Sequence, residues 1–220
     1  MLAGINTEPI TFKDWNVRVR ASQSASPRLL VLIHGWTGDE NSMWVFTRGL
    51  SPEYWMIAPR APHAAQPGGF SWRRAQPETL GWPSLEMLQP AVEALIRFID
   101  EYATSINLDA REFDLMGFSQ GAAMVNTLAL LYPARVRKMG VLAGFVPSGL
   151  EDIIEQKPLA GKTIFVAHGT QDQMVPIDHA RASIEALEKA GAKVTYCEDE
   201  VGHKLSANCL RALETYLSSP

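Results

Sequence analysis

The pentapeptide Gly117-Phe118-Ser119-Gln120-Gly121 is the stretch that decides the fold. It follows the apolar run at 113–116 and precedes a helix-like segment at 122–131. A G-x-S-x-G sequence between a strand and a helix is typical of a nucleophile elbow, a sharp turn with no room for a Cβ at either glycine and with an exposed serine hydroxyl. We therefore predict that Ser119 is a reactive serine. The alternative is an ordinary glycine-rich turn, which the flanking strand and helix disfavour.

Strand-like and helix-like segments alternate along the whole chain, which favours an α/β fold with a mainly parallel sheet covered by helices on both faces. The apolar run Arg28–Ile33 is typical of a strand buried on both sides. Apolar residues at three- and four-residue steps predict helices that begin near Leu85 and Ile177, and Ser206 is the predicted N-cap of the last helix. The remaining predicted strands are 54–58, 141–143, 163–167 and 193–197, with an edge strand at Trp15, Val17 and Val19.

The composition limits the function classes. The chain has 220 residues, a formal net charge of −4, 46% hydrophobic and 20% charged residues, which fits a single domain over residues 1–220 and indicates no nucleic-acid binding. The sequence contains no run of about 18 apolar residues, so we predict no stable membrane insertion. The first nine residues lack the basic and apolar regions of a secretory signal, so we expect a cytoplasmic protein. Cys197 and Cys209 have no C-x-x-C spacing and are predicted to be small buried side chains, not a disulfide framework.

A loop at Pro59–Pro83 interrupts the alternation, because its five prolines and three glycines prevent a long regular element. Loops of this length inside compact domains are often functional. We predict that Trp72 forms part of an apolar pocket wall. Trp82 fits a pocket wall and simple packing against the sheet equally well.

A serine hydroxyl is a weak nucleophile at neutral pH and needs a base, which in turn needs a third group to orient it. His203 is the predicted base because it lies between the last strand and the last helix, where a loop reaches the carboxyl edge of the sheet. Asp172 directly follows the strand at 163–167 and is the predicted acid, in preference to Asp178 inside the next helix. The chain order Ser119, Asp172, His203 is that of α/β-hydrolases.

An oxyanion formed at a substrate carbonyl needs N–H donors that are already in place. The Gln120 N–H is the first predicted donor, because it follows the serine and opens a helix whose dipole adds positive potential. The second is expected on the loop after an early strand. There, the segment 33–40 (I-H-G-W-T-G-D-E) supplies the Trp36 N–H. We expect His34 in this loop to be a scaffolding histidine.

These segments together resemble the phospholipase/carboxylesterase family of small α/β-hydrolases, which includes bacterial carboxylesterases and acyl-protein thioesterases. The resemblance rests on 33–40, 117–121, 168–176 and Gly202-His203. It implies a serine esterase that uses no metal and no organic cofactor and acts on short to medium acyl esters, lysophospholipids or thioesters. By position, Phe145 and Met174 match family residues that line the acyl pocket.

The expected partner is therefore a small-molecule ester, and the sequence is compatible with a homodimer. Because 220 residues leave no room for a large lid domain, we expect a shallow cleft with aromatic walls. Alternatives stay open: a thioesterase or lysophospholipase, a peptidase or lactonase with the same triad, and a noncatalytic binding protein with a hydrolase fold.

Overall fold

The computed structural model describes residues 6–74 and 82–219. Residues 1–5, which enter the targeting prediction, and residues 75–81, which belong to the predicted long loop, lie outside the described residues.

The described residues form strands and helices that alternate as predicted. The strands are β1 (Glu8–Phe12), β2 (Trp15–Arg20), β3 (Arg28–Ile33), β4 (Tyr54–Pro59), β5 (His63–Ala64), β6 (Phe70–Ser71), β7 (Phe113–Phe118), β8 (Val136–Leu142), β9 (Thr163–Gly169) and β10 (Lys193–Asp199). The helices are α1 (Leu85–Ser105), α2 (Gln120–Leu131), α3 (Glu151–Glu155), α4 (Ile177–Lys189) and α5 (Ala207–Ser218). The predicted N-cap is confirmed, since the Ser206 side chain accepts a hydrogen bond from the Cys209 N–H at 3.1 Å.

Eight of these strands form one sheet in the order β1-β2-β4-β3-β7-β8-β9-β10. The pairs from β4 to β10 are parallel, whereas β2 is antiparallel to both β1 and β4. The predicted mainly parallel sheet is thus confirmed. The prediction of β2 as an edge strand is wrong, because β1 pairs along its outer side. Most of β1 is exposed, so its sequence lacks the apolar pattern that reveals a buried strand.

The two faces of the sheet bury two apolar clusters. On β3, Leu29, Val31 and Ile33 pack into one cluster with side chains of α1, α2 and α4. Leu30 and Leu32 point to the other face, where they pack with Leu213 and Leu217 of α5 and with other side chains. Because successive side chains of a strand point to opposite faces, a continuously apolar strand requires helices on both sides.

The two cysteines form a disulfide between β10 and α5, which corrects the prediction. Cys197 and Cys209 are joined, with their Cα atoms 5.6 Å apart. Helix α5 returns along β10 in the antiparallel direction and so brings together two residues that are 12 positions apart. Short cysteine motifs such as C-x-x-C do not include this spacing. The bond joins the strand before the His203 loop to the helix after it.

Candidate active site

The predicted site residues come together at one edge of the sheet. Parallel strands end at the same edge, so the segments that follow them are neighbours. Loop 34–38 follows β3, Ser119 follows β7, Phe145 lies after β8, Asp172 lies after β9, and His203 lies after β10.

Ser119 occupies a strained turn between β7 and α2. Its φ of 55° and ψ of −119° lie in a region that residues with a side chain rarely adopt. A Cβ added at Gly117 would lie 2.2 Å from the Gly121 carbonyl oxygen, and one added at Gly121 would lie 2.0 Å from the Ile33 carbonyl oxygen. Gly117 is therefore required for the turn to close on the start of α2, and Gly121 is required for the turn to pack against the end of β3. Ser119 itself is half-buried and lines a cleft.

His203 is oriented by a buried carboxylate. Its Nδ1 lies 2.7 Å from Asp172 Oδ2, and the other carboxylate oxygen accepts the N–H groups of Met174 and Val175 at 2.8 and 2.9 Å. The Asp172 side chain is fully buried, whereas the His203 side chain is 22% exposed. Because the carboxylate accepts from Nδ1–H, the neutral imidazole presents Nε2 as an acceptor. Asp178, the alternative acid, is an exposed residue of α4.

The His203 ring also lies next to the nucleophile turn. It packs against the ring of Phe118, the residue before Ser119, with centroids 4.9 Å apart. Within the described residues, no hydrogen bond joins Ser119 to His203. Hydrogen bonds of this kind are often long in unliganded sites and shorten when substrate binds.

The two predicted N–H donors flank Ser119. A Cβ added at Gly35 would lie 3.2 Å from the Ser119 Cβ, so the loop before Trp36 touches the serine. The part of the chain that the structure describes contains no acceptor for the N–H of Trp36 or of Gln120, whereas the next residue, Thr37, donates its N–H to Phe70 O at 3.0 Å. Both N–H groups are therefore available to a ligand beside Ser119.

Trp72 is not on the cleft wall, which corrects the prediction. Its side chain is fully buried in the apolar core, and its indole N–H donates to the His34 carbonyl at 2.8 Å. Its backbone N–H donates to Gln120 Oε1 at 2.9 Å. Trp72 therefore links the loop after β3 to the start of α2. The Gln120 side chain forms the other half of this link, whereas the sequence analysis considered only the backbone N–H of Gln120.

His34 and Glu40 hold the loop after β3 in place. His34 Nδ1 lies 2.7 Å from Gly35 O, and its Nε2 accepts the Ala61 N–H at 3.0 Å. Burial lowers the pKa of His34, which is consistent with the neutral ring that this pairing requires. Both oxygens of Glu40 accept from Arg60 at 2.6 Å. These contacts give His34 the scaffolding position expected from the sequence.

A second buried histidine lies beneath the acid. His168 Nε2 lies 2.8 Å from Val175 O and 3.5 Å from Asp172 Oδ2, and its Nδ1 is buried without a partner among the described residues. Desolvation by burial lowers the pKa of His168. A neutral ring with the proton on Nε2 fits these contacts.

The cleft beside Ser119 has a volume of about 310 Å³. Phe145 and Met174 line it, in the positions that the resemblance implies, and Trp82 takes the wall position that was predicted for Trp72. Arg73, which the sequence analysis did not single out, also lines the cleft, and burial lowers its pKa. Arg73 directly follows Trp72 in the long loop. A basic residue beside a predicted pocket residue was the sign by which the sequence could have pointed to it.

Among residues 6–74 and 82–219, no group of three or more His, Cys, Asp or Glu side chains is arranged to bind a metal ion. In the same ranges, no helix is both long and apolar enough to cross a membrane.

Comparisons with known proteins identify the family of the chain. The phospholipase/carboxylesterase family matches residues 15–219. The chain is 33% identical to the carboxylesterase SOBER1 of Arabidopsis thaliana over 106 residues, 47% of this chain and 46% of that protein. It is 27% identical to acyl-protein thioesterase 1 of Debaryomyces hansenii over 197 residues, 80% and 83% of the two chains.

A solved structure shows the same fold. The carboxylesterase of Bacillus cereus superposes with a TM-score of 0.81 at 22% identity, over 93% of this chain and 94% of that one. The match over residues 15–219 includes Ser119, Asp172 and His203. The chain therefore belongs to the phospholipase/carboxylesterase family of hydrolases, and its fold is that of the α/β-hydrolases.

Proposed function

We propose that this protein is a carboxylesterase that cleaves small esters of short to medium acyl chains through a covalent acyl-enzyme. The observation that carries the proposal is the hydrogen bond from His203 to the buried Asp172 carboxylate, at the same sheet edge as the strained Ser119 turn. A noncatalytic binding protein would need neither a carboxylate that fixes the imidazole tautomer nor a serine in a strained conformation.

In the first step, Ser119 Oγ attacks the ester carbonyl carbon while His203 Nε2 takes the hydroxyl proton. The N–H groups of Trp36 and Gln120 stabilise the negative oxygen of the tetrahedral intermediate. The C–O bond of the ester then breaks, and His203 returns the proton to the leaving alkoxide, which departs as the alcohol. Asp172 stabilises the imidazolium throughout and remains ionised.

In the second step, water attacks the acyl carbon while His203 Nε2 accepts a proton from it. The bond between that carbon and Ser119 Oγ then breaks, His203 returns the proton to Oγ, and the carboxylic acid leaves. The protein needs no cofactor in either step. A homodimer and a cytoplasmic location remain predictions from the sequence. The Cys197–Cys209 disulfide stands against the predicted location, because such bonds are rare in the cytosol and persist in oxidising compartments.

The first test is covalent labelling. A fluorophosphonate should add one label to the wild type and none to Ser119→Ala, while Ser26→Ala, a change at an exposed serine, should label normally. Intact-mass spectra without an adduct on the wild type, or with an equal adduct on Ser119→Ala, would promote the noncatalytic binding protein.

A matched pair of variants tests the acid. Asp172→Asn should lower kcat by several orders of magnitude, on the order of 10⁴-fold for such a tautomer error, while Asp178→Asn should retain activity. Circular dichroism melts of both variants separate a chemical defect from loss of fold. A reversed ranking of the two would refute the assignment of Asp172.

A thioesterase is the second candidate, because acyl-protein thioesterase 1 of Debaryomyces hansenii matches 80% of this chain. The same triad would attack a thioester carbonyl. Parallel measurements of kcat/KM on matched oxygen esters and thioesters decide between the two, and a preference of tenfold or more for the thioester would favour it.

A further inference from the structure

Trp82 lines both the cleft that contains Ser119 and a second groove. The cleft has a volume of about 310 Å³ and the groove about 420 Å³, and Trp82, Pro83 and Phe145 line both. The groove runs along α3 and α4 beside the segment 145–148. Its apolar walls are formed by Val146, Pro147, Ile154, Ala182 and Ala186.

The Trp82 ring is held by other rings. It packs edge-on against Phe145, with centroids 4.6 Å apart and an interplanar angle of 81°, and lies against His179 at 4.3 Å and 30°. The side chain is 42% exposed, and its indole N–H makes no hydrogen bond within the described residues. Removing the ring would therefore leave no polar group of a described residue without its partner.

We propose that Trp82 sets the longest acyl chain that the enzyme accepts, and that the groove behind it is a distal subsite for an unbranched alkyl chain. This rests on the proposed function, because it takes Ser119 as the acylated residue and Phe145 as part of the acyl side. An acyl chain that leaves Ser119 along Phe145 meets the Trp82 ring before it reaches the groove.

The chemistry of the groove favours an alkyl chain over a polar group. Most of its lining is apolar, and its polar members are Ser148, Glu151, His179 and Ser183. Glu151 and His179 are exposed residues, and the Ser183 hydroxyl is already hydrogen-bonded to the Val146 N–H and to His179 O. Each CH₂ that moves from water into such a surface raises kcat/KM by about fourfold, provided that the chain is also bound in the transition state. The wild type does not gain this contribution beyond the Trp82 ring.

The test is a series of p-nitrophenyl esters from acetate to dodecanoate, each below its solubility limit. The wild type should level off near butyrate or hexanoate. In Trp82→Ala, the ratio of kcat/KM for decanoate to kcat/KM for butyrate should rise at least tenfold over the wild-type ratio, whatever the absolute rate on butyrate. Trp82→Leu should give a smaller shift in the same direction, and it provides a variant with more apolar bulk if the alanine variant is unstable.

A second substitution tests whether the groove receives the chain. Ala186→Phe places a phenyl ring in the groove from α4, so Trp82→Ala/Ala186→Phe should return to the wild-type chain-length profile. Ala186→Phe alone should leave that profile unchanged, since wild-type substrates end at Trp82. Unfolding midpoints and fluorophosphonate labelling of each variant establish that it is folded with an active serine.

The outcomes separate this proposal from the proposed function. If both Trp82 variants are active on butyrate and retain the wild-type profile, Trp82 does not limit the chain. If the profile shifts but Ala186→Phe does not reverse it, the groove is not the distal subsite. If no protein hydrolyses any ester and Ser119 is not labelled, the proposed function itself fails.

Discussion

Replacing Trp72 with Phe tests how the site holds its N–H donors. The change keeps an aromatic ring in the core and removes the indole N–H, which donates to the buried His34 carbonyl at 2.8 Å. The backbone N–H of residue 72, which binds Gln120 Oε1, remains. The perturbation is therefore confined to the link between Trp72 and the loop that leads to Trp36.

The expected cost has a stability part and a catalytic part. A buried carbonyl left without its donor costs about 1–3 kcal/mol, and at about 2 kcal/mol the Tm of a protein of this size falls by roughly 4–8 °C. Complete loss of one oxyanion donor lowers kcat by about 10²–10³-fold. A loop that is displaced part of the time should lower kcat by about tenfold, with little change in KM, because the donor acts mainly in the transition state.

The assay combines steady-state hydrolysis of p-nitrophenyl butyrate with thermal melts. Tyr54→Phe is the matched control, since it keeps a buried ring at the start of β4 and removes a hydroxyl that lies 2.6 Å from Asp114 Oδ2 and 2.9 Å from Leu217 O, away from the loop after β3. It should lose comparable stability and keep its kcat. Two results would refute the reasoning: equal kcat values for both variants, or an altered acyl-chain-length profile in Trp72→Phe, which would return Trp72 to the pocket wall.

Two further predictions concern stability. Burial lowers the pKa of both His34 and His168 in the folded protein, so below about pH 6.5 the unfolded chain binds more protons than the folded one. The free energy of unfolding should therefore fall as the pH is lowered from 7 to 5, by up to about 1.4 kcal/mol per pH unit for each histidine. Urea titrations at each pH measure this free energy. A value that does not change with pH would contradict the assignment of neutral rings to His34 and His168. Reduction of Cys197–Cys209, which are 12 residues apart, should lower the same free energy by about 3 kcal/mol through loop-closure entropy. Urea titrations with and without dithiothreitol test this, and the variant with both cysteines changed to Ser must not respond to the reductant.

Much of the fold could be predicted because its strands are buried on both faces. Arg28–Ile33 is apolar at nearly every position, and only a strand between two helix layers requires this. The elements that were missed lack such a signal. β1 is mostly exposed, and the contact between Cys197 and Cys209 depends on the direction in which α5 returns, which the spacing of the residues does not determine.

The positions of Ser119, Asp172 and His203 could be predicted for a topological reason. Each follows a strand of the parallel sheet, and the carboxyl ends of such strands meet at one edge whatever the loops between them do. The choice of Asp172 over Asp178 used the same rule, since one residue follows β9 closely and the other lies inside α4. The prediction needed only the approximate place of each side chain, at the carboxyl end of a strand, and not its orientation.

The walls of the cleft could not be predicted in this way, because no periodicity fixes the direction of a side chain in a loop. Phe70 donates its N–H to Gly38 O at 2.9 Å and accepts the Thr37 N–H at 3.0 Å, which binds segment 70–72 to the loop after β3. This pairing turns the Trp72 indole under His34, so the ring enters the core and cannot face substrate. Trp82 makes no such hydrogen bond among the described residues; it packs against Phe145 and His179 and lines the cleft. The long loop therefore contributes to the site in two physically different ways: residues 70–72 hold the N–H donors in place, and Trp82 shapes the space for the acyl chain.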